Sequence, residues 1–180
     1  MKNLILILMG AVMLSCCSNH NVEKYKDSKP KLDVKEFFNG HIKAWGIVQD
    51  WSGKVVNKFD VTMKGTWEDD EGTLEEDFVF YSGKTQKRIW KLKKISEDYI
   101  EGRAGDIIGI ATGKNAGDSL NFHYTMDIEV DGKMVRVRLD DWMWAMNDNV
   151  IINRSYIKKF GITVAELTIF MKKEDEKPAK

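Results

Sequence analysis

Alternating segments of about ten residues, each followed by a short turn, repeat along the chain from residue 40 to residue 172. In the segments 55–67 and 119–130, apolar and polar side chains take turns, as on a β-strand with one buried and one exposed face. Nine segments are predicted as strands, and these are 41–49, 55–67, 73–81, 85–95, 99–111, 119–130, 133–144, 150–160 and 162–172. This repetition constrains the fold more than any other feature, because it leaves little length for helices.

The connections between these segments contain the glycine, asparagine and aspartate residues that tight turns require. Ser52-Gly53, Ser82-Gly83 and Asp131-Gly132 are examples, and the last is the clearest two-residue hairpin. Since no connection is long enough for a helical crossover, consecutive strands must pair antiparallel. An open meander would leave two exposed edges, so the sequence predicts an all-β, antiparallel up-and-down barrel of about 8-10 strands. A two-sheet sandwich is the alternative.

The first residues have the pattern of a secretion leader. Lys2 precedes an apolar run, Leu4 to Leu14, that is too short to span a bilayer as a helix. The chain has two cysteines, Cys16 and Cys17, and both lie at the end of this run, so no cysteine is left for a disulfide inside the domain.

The rest of the chain is divided by composition. Asp33 can cap a short helical turn at the start of the domain that contains the strands. The expected division is a leader at 1–15, a polar flexible tether at 16–31, the β-barrel domain at 32–172 and a charged, disordered tail at 173–180.

Composition argues against several functions. The chain has 28 basic and 28 acidic residues, so it lacks the strongly positive field that a nucleic acid partner requires. The three histidines are scattered, and the sequence has no nucleophile elbow and no glycine loop of the kind that binds phosphate. No metal and no cofactor are predicted. The absence of these signatures favours a protein that is not an enzyme, and an enzyme that acts on lipids through acidic and arginine residues stays open as an alternative.

Several charged residues lie on strand faces that otherwise look buried. Asp140 and Asp141 are adjacent in the strand 133–144, so one of the two carboxylates must point inward. The full set of interior polar candidates is Glu76, Arg88, Asp106, Asp140, Asp141 and Arg154. A buried charge costs several kcal/mol unless it is paired, so this set predicts an internal ion network.

Three interpretations of this set stay open. The arginines Arg88 and Arg154 could neutralise the acids and fix the strand register. One arginine could instead bind an anionic headgroup, such as a fatty-acid carboxylate. A catalytic carboxylate pair is the third interpretation. Six aromatic residues are expected to line the same interior, and these are Trp45, Trp67, Phe78, Trp90, Trp142 and Tyr156.

Short motifs that carry a family resemblance are spread over the barrel domain. They are Phe38-Asn39-Gly40, Ala44-Trp45-Gly46, Gly65-Thr66-Trp67, Glu75-Glu76-Asp77-Phe78, Arg88-Ile89-Trp90, Gly102 with Ala104-Gly105-Asp106 and Gly109, Asp140-Asp141-Trp142, and Asn153-Arg154 leading to Lys158-Lys159-Phe160-Gly161. As a group they resemble a family of uncharacterised bacterial lipoproteins with a lipocalin-like barrel.

The resemblance implies a location and a general role. Val12-Met13-Leu14-Ser15-Cys16 is similar to the lipobox of bacterial lipoproteins, in which the cysteine is lipidated, and Cys17 is the alternative site. The resemblance implies a protein that is anchored by acyl chains to the cell envelope and faces the periplasm, with the outer membrane as the default location. Members of the family are often encoded near relatives of cyclopropane fatty acid synthase, which suggests a role connected with membrane fatty acids.

Two functions are therefore expected. The first is a lipid-anchored barrel that binds or shields an apolar, acyl-type ligand and supports membrane fatty-acid modification. The second is a structural or accessory lipoprotein whose filled barrel docks onto a membrane enzyme or assembly. A closed interior together with an exposed apolar patch would favour the second.

Overall fold

Ten antiparallel strands close into one barrel in the computed structural model, which describes residues 21–130 and 132–174. The strands are β1 (Gly40–Asp50), β2 (Val55–Glu68), β3 (Glu71–Phe80), β4 (Thr85–Lys94), β5 (Tyr99–Arg103), β6 (Ile107–Ala116), β7 (Ser119–Val130), β8 (Lys133–Asn147), β9 (Val150–Lys159) and β10 (Ile162–Lys173). Each strand pairs with its neighbours in sequence, and β1 pairs with β10 to close the barrel. The predicted up-and-down barrel is confirmed, and the sandwich alternative is wrong.

The predicted segment 99–111 forms two strands instead of one. β5 ends at Arg103 and β6 begins at Ile107, with a turn at Gly105 and Asp106 between them. Ala104 and Gly105 offer little side chain to pack, and the tight turn forms at this point of the chain. The Asp131-Gly132 hairpin was predicted between β7 and β8, and Asp131 lies outside the described residues.

The interior of the barrel follows the predicted alternation. Along β7, Leu120, Phe122, Tyr124 and Met126 are buried and face inward. The alternate residues His123 and Thr125 are less buried. Burial of such rows removes apolar surface from water at ~25 cal/mol per Å², and this is the main favourable contribution to folding.

A short helix closes one end of the barrel, which we call the α1 end. This helix, α1 (Val34–Phe37), begins at Asp33, whose side chain accepts a hydrogen bond from the Glu36 amide at 3.0 Å, as predicted. The backbone after α1 touches β2 at Gly65, where a Cβ atom would lie 1.6 Å from the Phe38 carbonyl oxygen. Only glycine leaves room for the helix to seat at this point.

The segment before α1 lies against the outside of the barrel. Val22–Tyr25 form a 3₁₀ turn in which Val22 is buried, and the Tyr25 ring lies 6.0 Å from the ring of Trp142. Glu23 also forms a 2.6 Å ion pair with Lys114. Residues 21–31 belong to the range predicted as a flexible tether, and in the structure this part of the chain has apolar and charged partners on the barrel wall.

Several sequence expectations lie outside the described residues. These are the leader at 1–15, the lipidation site at Cys16 or Cys17 and the tail from residue 175 onward. Within residues 21–130 and 132–174, no helix is long and apolar enough to cross a membrane.

Candidate functional site

A cavity of about 100 Å³ lies inside the barrel, between α1 and the middle of the strands. Its wall is mainly apolar and includes Leu74, Trp90, Leu120, Met143 and Ile169. Since a water molecule occupies about 30 Å³ in the liquid, a cavity of this size suits a small molecule or a few carbons of a longer chain. A cluster of three phenylalanine rings, Phe59, Phe78 and Phe80, packs towards the opposite half of the barrel.

A group of polar side chains crosses the middle of the barrel and borders this cavity, and we call it the polar layer. Its members are Glu76, Arg88, Asp106, Tyr124, Asp141, Asn153 and Ser155. Strand register brings the first two together, because Glu76 on β3 lies directly opposite Arg88 on β4. Antiparallel pairing places such opposed side chains on the same face of the sheet.

Asp141 is the inward member of the Asp140-Asp141 pair, and neutral groups hold it. Ser155 donates a hydrogen bond to Asp141 Oδ1 at 2.6 Å, Asn153 donates to the same oxygen, and Tyr124 donates to Oδ2 at 3.4 Å. Burial raises the pKa of Asp141, and these hydrogen bonds, with the charge of Arg88, oppose the rise. The strand needs no direct salt bridge to keep this carboxyl group inside.

Arg88 is held mainly by Asp106. Its Nε and Nη2 atoms donate to one oxygen of Asp106 at 2.9 and 2.6 Å. The guanidinium carbon lies 5.6 Å from the centre of the Phe78 ring, within reach of a cation–π contact. Its Nη1 atom is 3.9 Å from Glu76 Oε2, a longer ion pair. The network predicted for Glu76, Arg88 and Asp106 therefore forms, and Arg88 already has carboxylate partners.

Glu76 differs from the other two acids. Its side chain is only 10% exposed, and its Oε2 atom accepts no hydrogen bond from the described part of the protein. Burial raises the pKa of Glu76 to about 7, the Arg88 charge lowers it, and Asp106 and Asp141 raise it further. At neutral pH the protonated and the ionised forms of Glu76 are therefore present in similar amounts.

A shallow pocket outside the α1 end adjoins the cavity. It is lined by residues of α1, of the β4–β5 turn and of the strands beside them, and includes Lys31, Lys35, Trp67, Lys94 and Glu97. Val34 and Ile100 line both the outer pocket and the internal cavity. These two side chains therefore separate the cavity from solvent at the α1 end, and we call the outer pocket the vestibule.

Asp140 lies on the opposite side of the sheet from Asp141. Lys158 donates a hydrogen bond to it at 2.6 Å, and Asn121 and Trp142 donate at 2.9 and 3.0 Å. Although burial raises the pKa of Asp140, the hydrogen bonds from Lys158 and Asn121 and the charge of Lys158 outweigh burial and hold that pKa below its usual value. Asp140 is thus an ionised group on the outer wall, and the interior position proposed for it is wrong.

Four other residues expected in the interior lie on the outer face. Arg154 is 44% exposed and lies 3.9 Å from Glu166, because β9 turns Ile151, Asn153 and Ser155 inward instead. Three of the aromatic candidates are also outside, and these are Trp45, Trp142 and Tyr156.

The other aromatic candidates lie where a ligand could meet them. Phe78 and Trp90 line the cavity, as predicted. Trp67 lies at the α1 end, where its indole nitrogen donates to the Phe38 carbonyl at 3.2 Å, and it lines the vestibule.

The sequence analysis missed the neutral partners of Asp141. Asn153 and Ser155 are almost fully buried, with exposures of 1% and 0%. Their spacing of two residues, in phase with Ile151, was the available signal. It was obscured because Ile152 and Tyr156 suggested the opposite phase for the same strand.

The fold and the site define a class of protein, namely a closed antiparallel barrel with a small internal cavity next to a buried charged layer. A family model described as "Protein of unknown function (DUF3833)" matches residues 11–173, and the chain belongs to this family. The lipid anchor and the gene neighbours expected from the resemblance stay predictions.

The barrel is similar to that of a solved S-type phycobiliprotein lyase from Guillardia theta, with a TM-score of 0.56 and 10% sequence identity. The match covers 87% of this chain and 99% of the lyase chain. At this identity the likeness shows the fold alone. No curated protein matches the sequence.

Replacement of Glu76 by glutamine should change how stability depends on pH. The folded-state pKa of Glu76 is raised, so its contribution to stability is fully present below pH 4.5 and is lost as the pH rises towards 7. Glu76→Gln has no ionisable group at this position, so its stability does not fall for this reason as the pH rises. Relative to the wild type, the variant should gain about 3 kcal/mol of unfolding free energy between pH 4.5 and pH 8, measured by urea denaturation.

Glu75→Gln is the matched control. Glu75 points outward, with its side chain 46% exposed and 3.5 Å from Lys87. It should follow the wild type at every pH. Equal pH dependence in all three proteins would show that Glu76 is not buried as described.

Proposed function

We propose that the barrel binds a small apolar ligand, or the end of an acyl or alkyl chain, in the cavity at the α1 end. The observation that carries this proposal is the position of the cavity, which has apolar walls on most sides and the polar layer at its inner limit. Ligand sites in proteins commonly combine a mainly apolar wall with a few placed polar groups. A core selected for stability alone would fill this volume, because cavities are destabilising.

The ligand reaches the cavity from the vestibule, past Val34 and Ile100. α1 is short, with one turn of helix, and its residue Val34 lines both the vestibule and the cavity. A chain too long for the cavity would extend into the vestibule, where its outer part meets water and the charged side chains of Lys31, Lys35 and Lys94. The site therefore takes the end of a long chain as readily as a whole small molecule.

The proposed lipid anchor agrees with this route. The described chain begins at Asn21, and Tyr25 packs beside Gly117 in the turn between β6 and β7, at the α1 end. Asn21 is five steps along the chain from Cys16, a reach of at most ~18 Å at 3.3–3.6 Å per residue. If Cys16 carries acyl chains as predicted, the vestibule lies close to the membrane that holds them.

A substitution that fills the cavity with a larger side chain should weaken ligand binding. Met143 lines the cavity on β8, and Met146 lies on the same strand and is 56% exposed. Linear alcohols from butanol to decanol, titrated by NMR chemical shifts, should bind the wild type with an affinity that rises with chain length. Met143→Trp should weaken binding by about tenfold or more because the indole occupies the cavity, whereas Met146→Trp should leave it within about twofold.

The same titration can contradict the proposal. Ile169→Phe, a second cavity-filling change, should have the effect of Met143→Trp, and thermal unfolding shows whether each variant is folded. Equal alcohol binding by the two methionine variants, or no binding by the wild type, would remove the cavity as a ligand site.

A second candidate function rests on the opposite end of the barrel. Three neighbouring hairpins, β9–β10, β1–β2 and β3–β4, carry exposed aromatic residues, which are Phe160 at 93%, Trp51 at 84% and Tyr81 at 69% exposure. We call this set the aromatic rim. Two of the hairpins share one sequence pattern, Trp51-Ser52-Gly53-Lys54 and Tyr81-Ser82-Gly83-Lys84.

Charge favours an anionic bilayer surface as the partner of the aromatic rim. Each hairpin carries a lysine within three positions of its aromatic residue, namely Lys54, Lys84 and Lys159. The one acidic residue in the first turn, Asp50, is used within the turn, where it accepts hydrogen bonds from Ser52 and Lys54. Aromatic rings at headgroup level with lysines against phosphates are typical of interfacial binding. The aromatic rim faces away from the α1 end, so this bilayer would differ from the one that holds Cys16.

Removal of two exposed rings should weaken binding to vesicles. We expect Trp51→Ser combined with Phe160→Ser to lower cosedimentation with phosphatidylglycerol vesicles by about fivefold or more. Trp45→Ser removes a half-exposed ring from the middle of the outer wall and should have no effect. The chain from Ser18 onward is suited to this test, because all ten strands lie within residues 21–174.

Two outcomes would overturn bilayer docking. One is equal sedimentation of all variants. The other is a dimer in solution that the double variant abolishes, because this would identify a second copy of the chain as the partner of the rim.

A further inference from the structure

Glu76, a member of the polar layer, presents a hydrogen-bond acceptor without a donor to the cavity. Glu76 lines the cavity, its side chain is 90% buried, and its Oε2 atom has no hydrogen-bond donor in the described part of the protein. The Arg88 charge 3.9 Å away compensates part of the lost hydration, but the missing hydrogen bond leaves a cost of about 1–3 kcal/mol. Such an atom, aimed at a cavity, marks the place where a ligand could supply the missing donor.

The other polar groups of the cavity wall already have partners. Asp141 accepts from Ser155, Asn153 and Tyr124, and Arg88 donates twice to Asp106. A ligand that bound either of these groups would have to break an existing contact. Among the charged residues that line the cavity, Glu76 differs because its Oε2 atom has an ion pair with Arg88 at 3.9 Å but no hydrogen bond to the described residues.

The charge around Glu76 also selects the ligand. The titratable groups that face it are Arg88 on β4, Asp106 in the β5–β6 turn, Tyr124 on β7 and Asp141 on β8. With Glu76, this makes three carboxyl groups against one guanidinium. An incoming carboxylate or phosphate would meet an excess of acids and an arginine that is already paired, so anionic headgroups are disfavoured. A cation or a neutral donor is favoured.

We propose that the end of the ligand that reaches the polar layer is a primary ammonium group, which donates a hydrogen bond to Glu76 Oε2 while the attached hydrocarbon occupies the apolar cavity. This inference rests on the ligand-binding function proposed above and names the chemical class of the ligand as a short alkylamine or a molecule that ends in one. A hydroxyl group donates the same hydrogen bond without the charge, and a carboxylate donates none.

Three four-carbon probes of nearly equal size test this assignment on the chain from Ser18 onward. Butylamine, butanol and butyrate differ only in the polar end, and NMR chemical-shift titration at pH 8 measures the affinity of each. Butylamine should bind tightest and butyrate weakest, with about a tenfold difference or more between them, because a charge-assisted hydrogen bond is stronger than a neutral one.

Glu76→Gln tests whether Glu76 is the partner of the ammonium group. Glutamine keeps the shape of the side chain and removes its charge, so butylamine should lose about tenfold in affinity while butanol changes by less than about threefold. Glu75→Gln, on the outer face of the same strand, should leave all three affinities unchanged. Lowering the pH from 8 to 5.5 adds a proton to Glu76 in the wild type, and the preference for butylamine over butanol should fall. This arm needs no variant and so does not depend on how Glu76→Gln folds.

The outcomes separate the two proposals. If butyrate binds as tightly as butylamine, or if Glu76→Gln leaves the order unchanged, the ammonium assignment is wrong, while butanol binding that Met143→Trp blocks still supports the cavity as a ligand site. If none of the three probes binds the wild type, both proposals are wrong.

Discussion

Three carboxyl groups lie in the interior of this barrel, and each is kept there by a different interaction. Asp141 is surrounded by neutral hydrogen-bond donors, and Asp106 is paired with the guanidinium of Arg88. Glu76 has a pKa raised to about 7, so it carries a proton at lower pH and is then buried without a charge. Removal of a single partner from such a layer is expected to be costly, because it leaves a buried charge without compensation. Both the strand register and the shape of the cavity depend on this layer.

The polar layer also divides the barrel into two halves with different roles. On one side, the phenylalanine cluster of Phe59, Phe78 and Phe80 fills the space between the strands. On the other side, mainly leucine, isoleucine, methionine and aromatic side chains surround a cavity that α1 covers. A barrel of about this size either fills with side chains or keeps room for one small ligand, and here each half does one of the two. The two candidate functions accordingly use opposite ends of the molecule.

The barrel could be predicted from sequence because alternation and turn residues repeat along nearly the whole chain. The ion network was partly predictable for the same reason, since Glu76 and Arg88 interrupt rows of apolar residues. Arg154 was placed on the wrong face because β9 has apolar residues on both faces, so its phase could not be read. The burial of Trp142 on the outer wall could not be predicted from the strand pattern, because it results from the segment around Tyr25, which folds back over this wall.

The most direct test of the account is the side-chain carboxyl ¹³C signal of glutamate, followed by NMR from pH 4 to pH 9 in the wild type and in Glu76→Gln. A buried Glu76, with a pKa raised to about 7, should give one signal that titrates with a midpoint at about 7 and is missing from the variant. If every glutamate instead titrates near the ordinary value of about 4.3, Glu76 is hydrated, and the buried polar layer does not exist in the form described.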